Sequence, residues 1–382
     1  MRAIRHVLSL GTALTLAACG GEMDMNTEAD ALGQTGAPLH QAAPGLRIDG
    51  DYIVKVKDGA DARAVAAVAG VSPRHEYSII NGFAASLSKG QLNALRQLPE
   101  VEYVEEDQLV QADATQSSAT WGIDRIDQRS LPLSGTYNYT STGSTVYAYI
   151  IDTGLQTNHS EFGTRASNVF DAFGGTGADC QGHGTHVGGT VGGVTYGVAK
   201  AVKLRGVRVL DCNGSGSNSG VIAGMDWVRT NHIKPAVANM SLGGGYSSTV
   251  NTSANNLANA GVFLAVAAGN SSADACNYSP ASAAAATTVG STTSTDARSS
   301  FSNYGSCVDI YAPGSSITSA KLNGTYTTMS GTSMASPHVA GVGVLYKATY
   351  GDASSSTVDS WLKNNGTSIS TSVPKLLFKG TL

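Results

Sequence analysis

The sequence predicts an α/β protein built of two domains, a small acidic one followed by a larger one. Residues 19–113 carry 15 acidic and 7 basic side chains, whereas residues 114–382 carry 13 and 15. This division suggests two associating units, although chance asymmetry explains the charge equally well. The larger part contains a strongly apolar strand that ends in Asp152. An acid at the carboxyl end of a buried strand is typical of an open α/β sheet with its functional site at that edge.

The composition excludes several classes of protein. Only 14% of the 382 residues are charged and 41% are hydrophobic, so the chain can bury a core and is neither a disordered tail nor a coiled coil. The net charge of −4 gives no indication of a nucleic-acid partner. No apolar run in the sequence reaches the roughly 18 residues that a membrane-spanning helix needs.

The first 18 residues have the pattern of an export signal. Arg2 and Arg5 precede an apolar stretch from residue 7 to residue 18, as in a secretory signal peptide. Residues 16–20 resemble a bacterial lipobox, in which Cys19 would be lipidated after cleavage. The alternative is an ordinary signal peptide with an incidental cysteine. Residues 19–47 are rich in Gly, Pro, Ala and Gln without periodicity, which predicts a flexible spacer.

Residues 48–113 have fold signals of their own. The β-rich and helical patterns alternate along this segment, with strands predicted at residues 52–56, 81–87 and 101–104 and helices at 62–71 and 89–98. This β-α-β-α-β order predicts a small ferredoxin-like α+β unit. Because the segment contains no constellation of His, Cys or Ser side chains, we expect no catalysis there.

Four of the five cysteines lie in the larger part of the chain, at Cys180, Cys212, Cys276 and Cys307. Local pairing would join the first two and the last two, which is one of three possible connectivities. Each loop of about 30 residues would contribute roughly 3 kcal/mol to stability. Export favours disulfides over reduced thiols, and the absence of any CxxC spacing makes zinc a poor interpretation.

Three glycine-rich turns carry the chemistry of residues 114–382. Asp152 ends the apolar strand, while His183 and Ser333 each lie in a turn that enters a helix. We place Pro337 in the first turn of the last of these helices, where its missing N–H is harmless. A serine nucleophile needs a base within hydrogen-bond reach and an acid that orients the base. The residues therefore predict a nucleophilic triad, and three well-packed turns without a catalytic role are the alternative that spacing leaves open.

Further segments carry a resemblance to a known family. Residues 114–382 resemble the subtilisin-type serine proteases, in which Asp, His and Ser follow one another in this order. The likeness is closest to the proteinase K and aqualysin branch and runs through residues 121–127, 207–210, 238–244 and 301–305. It implies a three-layer α/β subtilisin-like fold with a mostly parallel central sheet. Residues 48–113 are similar to the inhibitory propeptide of that family, which also assists folding.

The resemblance assigns a role to each catalytic position. Ser333 would be the nucleophile, His183 the general base and then acid, and Asp152 the residue that orients and stabilises the imidazolium. The side-chain amide of Asn270 and the backbone N–H of Ser333 would hold the oxyanion. The two disulfides of this branch map onto the local pairings given above.

The resemblance also implies where substrates bind. Two strand edges would pair with an extended substrate, and one pocket would take its primary side chain. The residues concerned are Ser241, Leu242 and Gly243 on one edge, Gly214 and Ser215 on the other, and Ala267, Ala268 and Gly269 in the pocket. Because these pocket residues are small and uncharged, we expect broad specificity with an aromatic or aliphatic preference.

Structural calcium is implied at two places, since hard oxygen ligands suit this ion. The first set is Asp309 with the backbone carbonyls of Ala284 and Ala286, and the second is Asp124, Asp127 and Gln128. The second set is weakened because two further ligand positions hold Ser134 and Thr136 instead of acids or amides. A solvated acidic pair, or a salt bridge to Arg125 or Arg129, is the alternative for Asp124 and Asp127.

Rival chemistries fit less well. His186 follows His183 by three residues, but a metalloprotease would show His-Glu-x-x-His, and His338 reads as a packed helix residue. Asp152-Thr153-Gly154 occurs once, whereas an aspartic protease needs two carboxylates that share a proton. A non-catalytic binding or inhibitor protein on the same fold is disfavoured because every triad and oxyanion position holds a competent residue.

We therefore expect a secreted, monomeric serine endopeptidase that acts on proteins and peptides. Residues 114–382 would form the peptidase domain, released from its own inhibitory propeptide by self-cleavage near Asp113. A lipid on Cys19 would leave with the propeptide.

Overall fold

The computed structural model describes residues 36–42, 47–108 and 114–382. The predicted signal peptide, Cys19, most of the predicted spacer and Asp113 at the expected cleavage position lie outside the described residues. The chain divides into two compact units. Of the described residues, 36–41 and 50–106 belong to one unit, and 42, 47–49, 107–108 and 114–382 belong to the other.

The first part of the chain forms a small sheet with two helices. Its elements are β1 (Leu39–His40), β2 (Arg47–Val56), α1 (Ala62–Val68), β3 (His75–Tyr77), β4 (Gly82–Ser86), α2 (Lys89–Arg96) and β5 (Val101–Gln108). The strands lie in the order β1-β5-β2-β4-β3. Both helices begin at a capping side chain: Asp61 accepts two amide hydrogen bonds at α1, and Ser88 forms a capping box with Gln91 at α2.

Two strands of this unit, β1 and β3, were not predicted from the sequence. β3 extends the order to β-α-β-β-α-β, which is that of a complete ferredoxin-like unit. β1 lies inside the predicted spacer, where Leu39 and His40 pair in parallel with Val104 and Glu105 of β5. Leu39 also packs against the buried cluster of this unit. β1 therefore forms through its contacts with β5 and the buried cluster, and a two-residue strand leaves no periodic pattern in the sequence.

The second part of the chain is larger. Its strands are β6 (Ala114–Ser117), β7 (Thr136–Tyr139), β8 (Tyr147–Asp152), β9 (Ala166–Asp171), β10 (Lys203–Arg208), β11 (Ala236–Met240), β12 (Gly244–Gly245), β13 (Phe263–Ala267), β14 (Tyr278–Ser279), β15 (Thr287–Thr292), β16 (Ile310–Pro313), β17 (Ile317–Lys321) and β18 (Thr325–Met329). Its α-helices are α3 (Trp121–Ile126), α4 (His183–Gly192), α5 (Asn218–Asn231), α6 (Ser248–Asn259), α7 (Thr332–Tyr350) and α8 (Ser355–Asn365).

The main sheet of this unit is parallel. Within residues 114–382, seven strands follow the order β16-β15-β13-β11-β8-β10-β9, and each neighbouring pair runs in the same direction. β8 lies near the middle, so both of its faces are covered, and its residues are nearly all buried and apolar, as expected for an internal parallel strand.

Helices cover both faces of the main sheet. Ile150 of β8 belongs to the buried cluster that contains Val187 of α4 and Val339 of α7. The next residue, Ile151, belongs to the opposite cluster with Met225 of α5 and Leu257 of α6. Because successive strand residues point to opposite faces, the result is three layers of helices, sheet and helices. The predicted three-layer α/β fold with a mostly parallel sheet is confirmed.

The position of Pro337 differs from the prediction. α7 begins at Thr332, so Pro337 is its sixth residue and lies in the second turn rather than the first. A residue at this position would normally donate its N–H to the carbonyl of Ser333, four residues earlier, and proline has no N–H. The Ser333 carbonyl oxygen instead accepts a hydrogen bond from Ser241 Oγ at 2.7 Å.

No helix in the described ranges is long and apolar enough to cross a membrane.

Candidate active site

The three predicted triad residues lie where a parallel α/β sheet places functional groups. Asp152 is the last residue of β8 and its side chain is fully buried. His183 is the first residue of α4, and Ser333 is the second residue of α7. Each side chain therefore projects from a strand end or a helix start, where neighbouring loops leave room for a ligand.

Main-chain contacts bring the acid segment against the base segment. A Cβ on Gly184 of α4 would lie 2.2 Å from the carbonyl oxygen of Gly154, which is too close for any side chain. Gly154 has a φ of 100°, a conformation that favours glycine. The two glycines thus allow the turn after β8 to touch the first turn of α4, and Asp152 and His183 come within contact.

His183 is oriented by Asp152. The Nδ1 atom of His183 lies 2.8 Å and 2.9 Å from the two carboxylate oxygens of Asp152. An ionised carboxylate only accepts hydrogen bonds, so Nδ1 carries the proton of the neutral imidazole. The Nε2 atom is then the unprotonated nitrogen, which is the form that a general base requires.

The environment of His183 raises its pKa. Burial disfavours the protonated imidazole, but the charge of Asp152 and its hydrogen bond outweigh this effect, and the charge of Asp179 adds to them. The pKa of His183 therefore lies above its ordinary value of 6.5. The Asp152 carboxylate stabilises the imidazolium that forms when His183 takes a proton.

The Ser333 hydroxyl is bonded to the segment that follows β11 in this structure. Ser333 Oγ donates to the carbonyl oxygen of Ser241 at 3.1 Å. Within residues 114–382 there is no hydrogen bond between Ser333 Oγ and His183. Ser333 lies in the first turn of α7, whose amides have no carbonyl partner within the helix. Its backbone N–H is therefore a donor directed away from the helix.

Asn270 presents an amide donor beside Ser333. Its Oδ1 atom accepts from the N–H of Thr332 at 2.8 Å and from Thr332 Oγ1 at 2.9 Å. These two bonds fix which end of the amide is the oxygen, and they leave Nδ2 without a partner within residues 114–382. A Cβ on Gly331 would lie 3.5 Å from Asn270 Nδ2 and 3.6 Å from the Ser333 nitrogen. The two nitrogen atoms therefore lie close together, and both residues line the same cavity.

The predicted substrate residues line two adjoining cavities. One of about 470 Å³ is lined by His183, Gly214, Ser215 and the segment 241–244. The other, of about 220 Å³, is lined by residues 267–270, Ser333 and the segment 242–245. Residues 242–244 belong to both, which makes one continuous cleft. No charged side chain lines the smaller cavity in the part of the chain that the structure describes.

Sequence reasoning missed the residues that hold these segments in place. The Asp179 carboxylate accepts hydrogen bonds from the Thr153 and Thr185 hydroxyls and from three amides, which joins the turn after Asp152 to the turn before His183. Asn303 is fully buried and bonds to the carbonyl of Ala268 and to the amides of Ser271 and Ala273. Asp179 could have been noticed in the sequence, because it is an acid only four residues before His183.

Both disulfides connect the nearest cysteines in the sequence. Cys180 is bonded to Cys212 and Cys276 to Cys307. Cys180 precedes His183 by three residues, and Cys212 precedes Gly214 by two. The first disulfide therefore connects the segment that carries His183 with the segment that forms one side of the cleft.

The first predicted calcium set converges and fits a hard cation. Asp309, Ala284 and Ala286 line one cavity of about 190 Å³ together with Asp359. The lining includes two carboxyl residues, Asp309 and Asp359, and carboxylate and carbonyl oxygens are the ligands that calcium prefers. The Lys363 ammonium lies 3.3 Å from Asp309 Oδ1, and this side chain is 38% exposed, so a calcium ion could replace it without breaking a main-chain hydrogen bond. Asp309 Oδ2 accepts from the Thr288 amide at 2.8 Å, which holds the carboxylate in place.

The second predicted calcium set is occupied by hydrogen bonds of its own loop. Asp124 accepts from the Ser134 amide and hydroxyl and from the Gly135 amide. Gln128 Oε1 also accepts from the Ser134 amide, and Asp127 accepts from the amide and the side chain of Asn138. A cation would have to displace these donors, so this set does not fit calcium. A salt bridge to Arg125 is not formed either, because that guanidinium pairs with Asp296.

The two rival histidines are buried packing residues. His186 Nε2 lies 3.1 Å from the carbonyl oxygen of Ile317 and 3.2 Å from that of Thr327. His338 Nδ1 lies 2.9 Å from the carbonyl oxygen of Met334. Burial lowers the pKa of each to about 4. Among the described residues, no three His, Cys, Asp or Glu side chains form a group that could hold a metal ion.

Comparison with known proteins identifies the family. Residues 143–378 match the Subtilase family, and residues 51–113 match the family of peptidase inhibitor I9. The fold and the site define a serine proteinase of the subtilisin type, a hydrolase that acts on peptide bonds. The chain belongs to the Subtilase family, and the predicted resemblance is confirmed.

Individual relatives agree with this membership. The chain is 58% identical over 287 residues to the extracellular serine proteinase of Thermus sp. (strain Rt41A), a match that covers 74% of this chain and 70% of the relative. It is 54% identical over 315 residues to alkaline serine exoprotease A of Vibrio alginolyticus, covering 79% and 59%. A solved structure, the crystal structure of a cold adapted subtilisin-like serine proteinase, matches with a TM-score of 0.68 and 52% identity over 70% of this chain and 99% of that chain.

Proposed function

We propose that this protein is a secreted serine endopeptidase of broad specificity that uses Asp152, His183 and Ser333 as its triad. The observation that carries the proposal is the pair of hydrogen bonds from His183 Nδ1 to Asp152, in the cleft that also contains Ser333 and the Asn270 amide. An oriented, buried imidazole beside a serine at a helix start is the arrangement that nucleophilic catalysis requires.

The reaction proceeds by acyl transfer. Ser333 Oγ attacks the carbonyl carbon of the scissile bond while its proton passes to His183 Nε2. The oxyanion accepts hydrogen bonds from Asn270 Nδ2 and from the Ser333 N–H. His183 then gives its proton to the leaving amine, and the C–N bond breaks to leave an ester on Ser333. Water, deprotonated by His183, hydrolyses this ester and restores the serine.

Substrate binding follows from the lining of the cleft. An extended peptide pairs its backbone with the edge at residues 241–243 and with that at Gly214 and Ser215. The primary side chain of the substrate enters the cavity beside Ala267, Ala268 and Gly269. Among the described residues no charged side chain lines this cavity, so an aromatic or aliphatic group can be buried there without leaving a charge unpaired. Hydrogen bonds to the substrate backbone do not depend on its side chains, which accounts for broad sequence specificity.

The protein is made as a zymogen that processes itself. Support comes from the match of residues 51–113 to an inhibitor family and from the names of relatives that are extracellular proteinases. The propeptide is an intramolecular inhibitor, cleavage falls near Asp113, and the released domain is monomeric. If Cys19 is lipidated, the mature enzyme separates from the lipid, so finding it tightly membrane-bound after cell fractionation contradicts this part of the proposal.

Calcium has a structural role at the first site. Subtilisin-like folds commonly bind structural calcium, and Asp309 with the carbonyls of Ala284 and Ala286 would hold the ion. Bound there, it would cross-link the loop before β15 to Asp309 and take no part in the chemistry of Ser333. The second predicted set, at Asp124, Asp127 and Gln128, is not proposed as a site.

The test compares the wild-type protein with Ser333→Ala. Intact mass measures the loss of roughly the first 113 residues, and casein hydrolysis with and without calcium measures activity. We expect processing and activity in the wild type alone. A fluorophosphonate probe should label Ser333, which a non-catalytic binding protein on this fold would not allow. Processing and activity in Ser333→Ala would show that the triad assignment is wrong.

A further inference from the structure

A chain of hydrogen bonds runs beneath the cleft from α7 to the end of β11. Ser336 Oγ donates to Asn239 Oδ1 at 2.7 Å, and Asn239 Nδ2 donates to Ser241 Oγ at 2.9 Å. Ser241 Oγ then donates to the carbonyl oxygen of Ser333 at 2.7 Å. Ser336, Asn239 and Ser241 are at most 3% exposed, so water does not compete for these bonds.

The direction of the chain is fixed at its last bond. The Ser333 carbonyl oxygen only accepts, so Ser241 Oγ commits its single proton there and accepts its other bond from Asn239 Nδ2. Asn239 Oδ1 then faces Ser336, whose hydroxyl donates to it. Loss of the Ser336 hydroxyl leaves this buried amide oxygen unpaired and removes the bond that holds the Asn239 amide against Ser241.

Pro337 explains why the chain ends on Ser333. The proline leaves the Ser333 carbonyl without its usual partner inside α7. A buried carbonyl left unpaired costs roughly as much as a lost hydrogen bond, so the Ser241 hydroxyl takes the place of the missing helix amide. The same two residues are joined a second time, by the Ser333 hydroxyl on the Ser241 carbonyl at 3.1 Å.

We propose that Asn239 and Ser336 are positioning residues for acyl transfer, and that they act through the Ser241 hydroxyl by fixing the main chain of Ser333 against the substrate-binding edge. The inference rests on the proposed function. Neither residue touches substrate. They set the distance between Ser333, which supplies the nucleophile and an N–H donor, and the edge at residues 241–243, which holds the substrate. Rates of acyl transfer are sensitive to such distances.

The test uses purified, processed protein and measures the labelling rate by a fluorophosphonate, together with kcat and KM for an apolar peptide anilide per titrated active site. We expect Ser336→Ala to lower the labelling rate and kcat roughly tenfold, the value of about one hydrogen bond, with KM little changed. Ser336→Thr keeps the hydroxyl and should restore the rate.

A second variant tests the connection between the two residues. Asn239→Ala should lower the rate at least as much as Ser336→Ala. The double variant should be no slower than Asn239→Ala alone, because both residues act through one chain of bonds. Additive losses in the double variant would contradict a single chain.

Tyr137→Phe is the matched control. The fully buried Tyr137 hydroxyl donates one hydrogen bond, to the Val198 carbonyl at 2.9 Å, and neither residue lines the cleft. We expect it to lower the unfolding midpoint without slowing labelling per active site. Wild-type labelling by Ser336→Ala, or equal slowing by Tyr137→Phe, overturns the inference. Failure of the wild type to be labelled overturns the proposed function instead.

Discussion

Replacement of Asn270 offers the sharpest test of the oxyanion site. Its Oδ1 accepts two hydrogen bonds from Thr332, at 2.8 Å and 2.9 Å, and its Nδ2 has no partner within residues 114–382. The amide is therefore held at one end and available at the other. Asn270→Ala removes the donor, whereas Asn270→Asp keeps the acceptor for Thr332 and puts a second acceptor where the donor was.

The expected loss follows from the number of donors. In the proposed mechanism two donors bind the oxyanion, the Asn270 amide and the Ser333 N–H, and the first variant removes one of them. Loss of one such donor lowers kcat by about 10²–10³, or about 2.7–4 kcal/mol, a range measured for the corresponding asparagine of subtilisin, a relative. Asn270→Asp should lose at least as much, because a carboxylate repels the developing negative charge. KM should change little, since the neutral carbonyl gains less from this donor.

The assay is steady-state hydrolysis of a soluble peptide anilide, with kcat normalised to the active sites that a fluorophosphonate titrates. Thr332→Val serves as the comparison, because it removes one of the two bonds that orient Asn270 and should cost roughly tenfold. The reasoning is refuted if Asn270→Ala retains kcat within a few-fold of the wild type, or if Asn270→Asp is clearly the more active of the two.

Three further predictions concern stability. Because His186 and His338 have pKa values of about 4 in the folded protein, the stability each contributes is complete above pH 6.5 and is lost as the pH falls toward 4. The loss is on the order of 3 kcal/mol per histidine, measurable by urea unfolding of an inactive variant, and a flat profile over this range contradicts it. Replacing Cys276 and Cys307 by serine should lower the unfolding free energy by roughly 3 kcal/mol, and an unchanged urea midpoint would oppose this. Calcium chelation should lower the thermal midpoint of the wild type but not of Asp309→Asn, and equal shifts would exclude this site.

Much of the architecture is predictable because it depends on local patterns. The apolar run before Asp152 predicts β8, and the helical pattern of residues 89–98 predicts α2, since both signals come from neighbouring residues. The catalytic roles came from the order of three turns together with many matching segments, not from spacing alone. In the structure Asp152 and His183 are in contact although 31 residues separate them.

The residues that were missed make their contacts over long sequence separations. Asn239 bonds to Ser336 across 97 residues, and Asn303 bonds to Ala268 across 35. The sequence pattern around a buried amide or hydroxyl does not show which distant residue will be its hydrogen-bond partner. Pro337 was misplaced for a related reason. The sequence indicates that a proline is tolerated near a helix start, but it does not show that a side chain from the loop after β11 bonds to the free carbonyl.

The contact between Gly154 and Gly184 has a consequence for how this enzyme could change over time. Asp152 and His183 come into contact because neither glycine has a side chain. No side-chain contact at these two positions can therefore be improved or exchanged for another. A selection experiment that randomises the cleft would find variants at the pocket residues readily, while these two positions would accept nothing larger than hydrogen. New specificities are therefore open to this scaffold, whereas a new spacing between its acid and its base is not.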